Sequence, residues 1–303
     1  METQHDILVN SKRGVQFKLS INRKFTIIRG DSATGKTTLY QMIEDAASSY
    51  MSGVTISCDV PVKPIPFNNY VSELQNNKGM IYIADEDFED ILTKDFAALL
   101  NKSDNCFILI TRHSLPGIPY SYKEIYEIKE SGKYHFLQRM YPDYKMWVDC
   151  EKVVTEDEDA GLEYYEHYFH DKVITSKGNS NLSKYADENT LIVGDGSAIG
   201  PYIQDLLLTK AKLFLPESFE YLLLCSDLFE NNKEVQALLE QPEKVISTEY
   251  NSWERFFTEF LMRITKGTPA QYSKSHLSKC YYENCCTFGN RCEFFTRKNK
   301  KNF

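Results

Sequence analysis

The strongest chemical signal in the chain is the run Gly30-Asp31-Ser32-Ala33-Thr34-Gly35-Lys36-Thr37, followed by Thr38. It fits the pattern G-x-x-x-x-G-K-[ST] at every fixed position. Glycines at the two ends let a backbone wrap phosphate oxygens. A helix that begins at the lysine presents its first N–H groups to an anion. Lys36 is then expected to reach β- and γ-phosphates, and the Thr37 hydroxyl to ligate Mg²⁺. The flanks agree. "FTII" (25–28) before the loop is a short β-prone run. "TLYQMIEDAASSYM" (38–51) after it carries Leu39, Met42, Ile43 and Ala46 at helical spacing.

A phosphate loop needs a second metal anchor. Met80 to Ala84 form a continuous apolar run, as expected of a buried parallel strand, ending in Asp85-Glu86-Asp87. Asp85 is expected to hold Mg²⁺, and Glu86 to orient or deprotonate an attacking water. A third strand, "NCFILI" (105–110), ends in Thr111-Arg112-His113. Ligands collect at the carboxyl ends of parallel strands, so His113 is a candidate γ-phosphate sensor. An ordinary strand-to-loop transition reads equally well. No guanine-reading motif is visible, so ATP is the expected nucleotide.

Together, "ILVNSKRGVQFKLSINRKFTIIRGDSATGKTTL", "MIYIADED" and "ILITRHS" resemble the opening, Walker B strand and switch-His strand of ABC-type and related P-loop ATPases. About 50 residues separate the two Walker motifs, with no LSGGQ-like signature between them. The resemblance therefore implies a compact P-loop ATPase domain over residues 1–145. "YKEIYEIKESGKYHFLQRMY" reads as a hairpin that closes it.

Residues 152–220 alternate strand and helix in a βαβαβα pattern, which implies a second, mostly parallel sheet. Acidic residues sit at its expected strand ends: Glu156 and Asp157, then Asp195, then Glu217 and Glu220. Carboxylates from several strand ends suit Mg²⁺ held through few protein ligands. Hydrated strand ends are the plainer alternative. The arrangement resembles the TOPRIM domain of topoisomerases, primases and overcoming-lysogenisation-defect nucleases. "VVTED" supplies Glu156 and "LIVGDGSAIG" supplies Asp195 as the catalytic and metal-binding carboxylates, with Glu217 as a further ligand. Ser197 stands where the second Asp of the D-x-D pair is usual, and Asp157 where a Gly is usual. A TOPRIM domain behind a P-loop ATPase is the layout of the overcoming-lysogenisation-defect family. That resemblance implies nuclease action on DNA or RNA and a role in antiviral defence.

The fold class expected is thus α/β, with two parallel-sheet domains (1–145 and 150–225), a helical cap (226–270) and a Cys-rich basic tail (271–303). In the cap, Phe256, Phe257, Phe260 and Met262 read as core. In the tail, Cys280, Cys285, Cys286 and Cys292 are candidate Zn²⁺ ligands, with His276 as a substitute; small buried thiols are the alternative. Arg297, Lys298, Lys300 and Lys301 among aromatics read either as a nucleic-acid contact or as a solvated end.

The bulk numbers bound the rest. The chain has 303 residues, a net charge of −8 and eight cysteines. Such a charge argues against coating nucleic acid by bulk attraction. No apolar run is long enough to span a membrane, and "METQHDILVN" lacks the pattern of a secretory signal. The expectation is a cytoplasmic protein with free or metal-bound thiols, no membrane contact, and a homo-oligomeric or partner-bound state.

Overall fold

The computed structural model describes residues 4–31, 33–48, 52–141, 150–240 and 253–283. The described residues divide into two compact units, 4–141 and 150–283. It is a mixed α/β protein.

The first unit is built on a nine-stranded sheet in the order β4-β1-β2-β9-β8-β3-β7-β6-β5. Its strands are β1 (His5–Ser11), β2 (Gln16–Ile21), β3 (Phe25–Arg29), β4 (Val54–Ser57), β5 (Val62–Pro64), β6 (Ile81–Ala84), β7 (Cys106–Ile110), β8 (Ile125–Ser131) and β9 (Tyr134–Arg139). Strands β8, β3, β7, β6 and β5 run parallel to their neighbours in that block. Strands β1, β2 and β4 pair antiparallel, as does the β8–β9 hairpin. The sheet is therefore mostly parallel, as expected, with antiparallel pairs at β1, β2 and β4 and in the expected hairpin. The physical reason is local: short connections such as Lys12–Val15 and Gly132–Lys133 can only return a strand beside itself. Strands β3 and β6 are buried along their whole length, which explains their unbroken apolar runs. Strand β1 alternates, burying Ile7 and Val9.

Helix α1 (Lys36–Ser48) packs Leu39, Met42 and Ile43 into the core with Ile28, Ile83, Ile108 and Phe17. Helices α2 (Tyr70–Asn76) and α3 (Lys94–Lys102) complete the unit. Only residues 58–61 join β4 to β5, yet these strands stand at opposite ends of the sheet. Laid flat, the sheet's ends would lie about 38 Å apart at strand spacings of about 4.8 Å. The connection spans at most about 18 Å. The sheet must therefore curl until its ends approach, and α1 packs against both β4 and β5.

The second unit holds a four-stranded, all-parallel sheet in the order β11-β10-β12-β13. Its strands are β10 (Lys152–Thr155), β11 (Val173–Thr175), β12 (Thr190–Val193) and β13 (Lys212–Phe214). Helices α4 (Asp159–Phe169), α5 (Ile203–Leu208) and α6 (Phe219–Leu224) connect or follow them. Between β11 and β12, where the alternating pattern implies a helix over 179–189, Asn179–Tyr185 form a 3₁₀ helix. Helices α7 (Lys233–Glu240), α8 (Trp253–Thr265) and α9 (Cys280–Glu283) form the helical C-terminal region.

Helix α8 buries Trp253, Phe257, Phe260, Leu261 and Thr265, an i, i+4, i+7, i+8, i+12 stripe. Phe256 is only half-buried. Met262, expected in the core, is 48% exposed, because it lies off that stripe.

Candidate functional site

In the first unit, β3 delivers the chain into the loop 30–35, and α1 begins at Lys36. Gly30 and Gly35 hold φ of 124° and 90°, where a side chain would be strained. Ala33 also holds a positive φ, of 64°. The Lys36 ammonium folds back on its own loop. It donates to the carbonyl oxygens of Gly30 (2.7 Å) and Asp31, and to Thr34 Oγ1 at 3.2 Å. Burial, and Arg112 nearby, lower its pKa.

A cleft of about 770 Å³ opens over this loop. Its lining includes Gly30, Asp31, Ala33, Thr34, Gly35, Lys36, Thr37 and Thr38 from the loop and helix start. Asp85, Glu86 and Asp87 enter from the end of β6, and Arg112 from the end of β7. Asp85 is nearly buried, and that burial raises its pKa. It accepts a hydrogen bond from the Asp87 N–H at 3.2 Å. Tyr40 on α1 feels the Asp85 charge, and burial pushes its phenol up to about 12. Glu86 accepts a hydrogen bond from the Arg112 backbone N–H, and its other oxygen lies 3.9 Å from Arg112 Nε.

Of the polar cluster after β7, Arg112 lines the cleft, and His113 does not. The His113 N–H donates to Thr111 Oγ1 at 3.0 Å, and its carbonyl accepts from Arg29 at 3.3 Å. Ser32 lies outside the described residues.

Sequence reading missed one wall of this cleft. Glu127, Lys129, Glu130 and His135 enter from the β8–β9 hairpin. His135 stacks on Phe17 with ring centroids 4.6 Å apart, beside Gly35. The hairpin was legible. Its place beside the 30–35 loop depends on β8 pairing with β3 and β9 with β2, contacts across about a hundred residues.

In the second unit, Glu156 and Asp195 follow adjacent parallel strands and meet. The Asp195 N–H donates to Glu156 Oε1 at 2.7 Å. Asp195 Oδ1 in turn accepts from the Phe219 N–H at 3.0 Å. Asp157 accepts from Thr155 Oγ1 at 2.8 Å. Burial is the main cause that displaces all three carboxyls upward, Glu156 to about 8, Asp157 to about 6 and Asp195 well above its ordinary value, and like charges add to it: Asp157 and Glu254 on Glu156, Glu220 and Glu254 on Asp157, Glu156 and Asp157 on Asp195. Their strongest acidic neighbours include Glu220 and Glu254. Glu217 is buried, and its carbonyl accepts from the Ser197 N–H at 3.2 Å. Glu220 is held by Thr258 (2.8 Å) and Tyr272 (2.9 Å).

One cation reaches this acidic group that sequence reading did not single out. Lys274 Nζ lies 2.6 Å from Glu254 and 3.7 Å from Glu220. It comes from a segment far along the chain with no periodic signal. Cys280 donates weakly to the Pro269 carbonyl at 3.5 Å, and His276 bonds Glu163 at 3.0 Å. Cys285, Cys286, Cys292 and the basic tail lie outside the described residues.

Comparison with known proteins returns no matching family model, no matching curated protein and no matching solved structure. Among the described residues, no helix is long and apolar enough to cross a membrane.

Proposed function

We propose that the chain binds and hydrolyses ATP in the first unit, and that this activity is coupled to a metal-dependent, TOPRIM-like second unit acting on nucleic acid. The observation that carries the first half is the cleft itself. It is lined by a phosphate-type loop, a helix start with Lys36 and Thr37, the strand-end pair Asp85-Glu86, and Arg112. Its volume suits a nucleotide.

The residues present fit Mg·ATP. Lys36 rests on two loop carbonyls and the Thr34 hydroxyl through three hydrogen bonds that a phosphate could replace. The Thr37 hydroxyl and the Asp85 carboxylate would hold Mg²⁺, which neutralises charge on the phosphates when bound. Glu86 then orients a water and accepts its proton, once it turns from the Arg112 N–H. Arg112 faces the developing charge.

In the second unit a hard divalent cation would relieve the charge crowded among the buried carboxyls of Glu156, Asp157 and Asp195, whose ligand atoms do not all stand within 4.8 Å of one another and would have to draw together to share it. Those three would hold it, with Glu217 tied to the Asp195 turn through its carbonyl, which accepts from the Ser197 N–H, and Lys274 paired with Glu254 and Glu220 beside them. The overcoming-lysogenisation-defect layout, and with it a role in antiviral defence, belongs to this reading by resemblance alone.

A second reading is a nucleotide-gated switch with a non-catalytic interaction module. Two observations favour it: Ser197 in place of a carboxylate, and the engagement of Glu156 and Asp195 by backbone N–H groups.

The test is a pair of assays on wild type, Lys36→Ala and Asp195→Asn. One follows phosphate release from ATP, the other nucleic-acid cleavage with Mg²⁺ or Mn²⁺. Cleavage by wild type but not Asp195→Asn supports the first reading. ATP turnover without cleavage under any metal supports the second. No turnover by wild type would overturn both.

A further inference from the structure

The first unit carries a second cluster of donor atoms, away from the nucleotide cleft. His5, the first residue of β1, places Nδ1 between both oxygens of Asp59, at 2.9 and 2.8 Å. Cys58 Sγ lies 3.3 Å from Asp59 Oδ1. One donor atom from each of the three residues falls within 4.8 Å of the others, and among the described residues no other His, Cys, Asp or Glu group of three does so.

The location is specific. Cys58 and Asp59 lie on the four-residue connection, 58–61, that bridges the two ends of the curled sheet. Cys106, at the amino end of β7, feels the charges of Lys24, Asp59 and Cys58. Lys24 immediately precedes β3, so the cluster sits toward the amino ends of β3 and β7. The phosphate loop leaves the carboxyl end of β3, so the two sites lie at opposite ends of the strands.

A His–Asp hydrogen bond alone accounts for two of these groups but not for the thiol beside the same carboxylate. Imidazole, thiolate and carboxylate together match Zn²⁺, and a thiolate disfavours Mg²⁺ or Ca²⁺. Ligands held at about 2.0–2.3 Å around a tetrahedral Zn²⁺ stand roughly 3.3–3.6 Å apart. The His5–Asp59 and Cys58–Asp59 separations need to open by only a few tenths of an ångström, and the His5–Cys58 separation lies within 4.8 Å. Adjacent residues rarely turn toward one centre, but here the Cys58 and Asp59 side chains already meet. The His5 side chain is 10% exposed and that of Asp59 43%. One side of the cluster therefore stays open to solvent, giving the ion an entry path and a fourth position for water.

We propose that His5, Cys58 and Asp59 form a Zn²⁺ site that clips the start of β1 to the β4–β5 connection. The ion stabilises the curled sheet and leaves the nucleotide cleft untouched.

The experiment uses the full chain, stripped of metal by a chelator and titrated with Zn²⁺ against a chromophoric competitor. Co²⁺ substitution reports thiolate ligation through its sulfur-to-metal absorption band. Wild type is expected to bind Zn²⁺ at a site that Cys58→Ser and Asp59→Asn each weaken at least tenfold. Cys280→Ser should leave that site unchanged, which separates it from the C-terminal cysteines. Added Zn²⁺ should raise the melting temperature of wild type but not of Cys58→Ser. Equal Zn²⁺ binding by wild type, Cys58→Ser and Asp59→Asn would overturn the proposal, as would no binding by wild type; the cluster is then a hydrogen-bonded ion pair. Asp59→Asn changes a half-exposed group and keeps the test valid if Cys58→Ser fails to fold. No arm uses ATP, so the outcome is independent of the nucleotide reading.

Discussion

Lys36 and Glu86 share the cleft but are held in different ways, and substitutions should separate their roles. Lys36 is bonded to loop carbonyls that only a phosphate competitor would release. Lys36→Ala should therefore weaken ATP binding and stop turnover together. Glu86 is held by the Arg112 N–H and lies 3.9 Å from its Nε. Glu86→Gln keeps the shape, so ATP binding should persist while turnover falls by about 10²–10⁴-fold, the usual scale for a lost general base. Equilibrium binding beside phosphate release checks both; a Glu86→Gln variant at wild-type rate would remove Glu86 from the mechanism. The acidic group of the second unit makes a pH prediction. The Glu156 pKa rises from 4.5 to about 8 on folding, with burial as the main cause. A raised pKa means the folded state binds the proton more tightly than the unfolded chain. Its stabilisation is complete below about pH 4.5 and is lost as pH rises through about 8. Metal-free protein should thus melt lower at pH 8 than at pH 6, and Glu156→Gln should flatten that slope. Mg²⁺ or Mn²⁺ should recover the loss at pH 8. A melting profile indifferent to both would argue that no cation belongs there.

Helix α8 shows how far an element can be read from its sequence. Its apolar residues recur at helical spacing, and Phe257 is fully buried against Tyr221 and Trp253. Phe257→Ala should cost about 3–5 kcal/mol, the range for a deleted core aromatic. Met262→Ala, off the stripe and half exposed, should fall within about 0.5 kcal/mol of wild type. Chemical denaturation of the pair checks the assignment; equal losses would contradict the packing. The same local logic made β3, α1, β6 and β7 legible, since each carries its period within one window. That Glu156 and Asp195 each follow a strand was also legible; that they meet depends on β10 pairing with β12. What local period does not encode is pairing at a distance. Nothing in Gln16–Ile21 announces that β2 will pair with β9. The hairpin wall with His135, the curl of the sheet and the His5–Asp59 contact all follow from such pairings. Lys274 was hidden for the same reason: its role depends on which carboxylates the fold brings to it.

Charge dominates at the scale of the whole chain. A net charge of −8 repels a polyanion, so contact with nucleic acid must run through local cations: a bound divalent ion, Lys274, and the basic residues near the C-terminus. The proposed function also demands that the two units communicate, and thermodynamics constrains how. If ATP changes nucleic-acid affinity by some factor, nucleic acid must change ATP affinity by the same factor. Coupling of this kind usually lies at about 5–150-fold. A non-hydrolysable ATP analogue, with Mg²⁺ held constant, lets both affinities be measured at equilibrium. The expected result is two equal factors above about fivefold in wild type. Lys36→Ala should abolish the effect of the analogue on nucleic acid, because it removes analogue binding. Asp195→Asn should abolish the effect of nucleic acid on the analogue only if the acidic group is the nucleic-acid site. Factors of one in wild type would mean that nucleotide state does not reach the second unit, and the coupled reading would fail even if ATP turnover and metal binding each proved real. Equal factors that survive Asp195→Asn would instead move the nucleic-acid contact off the carboxylates and toward other cations of the chain.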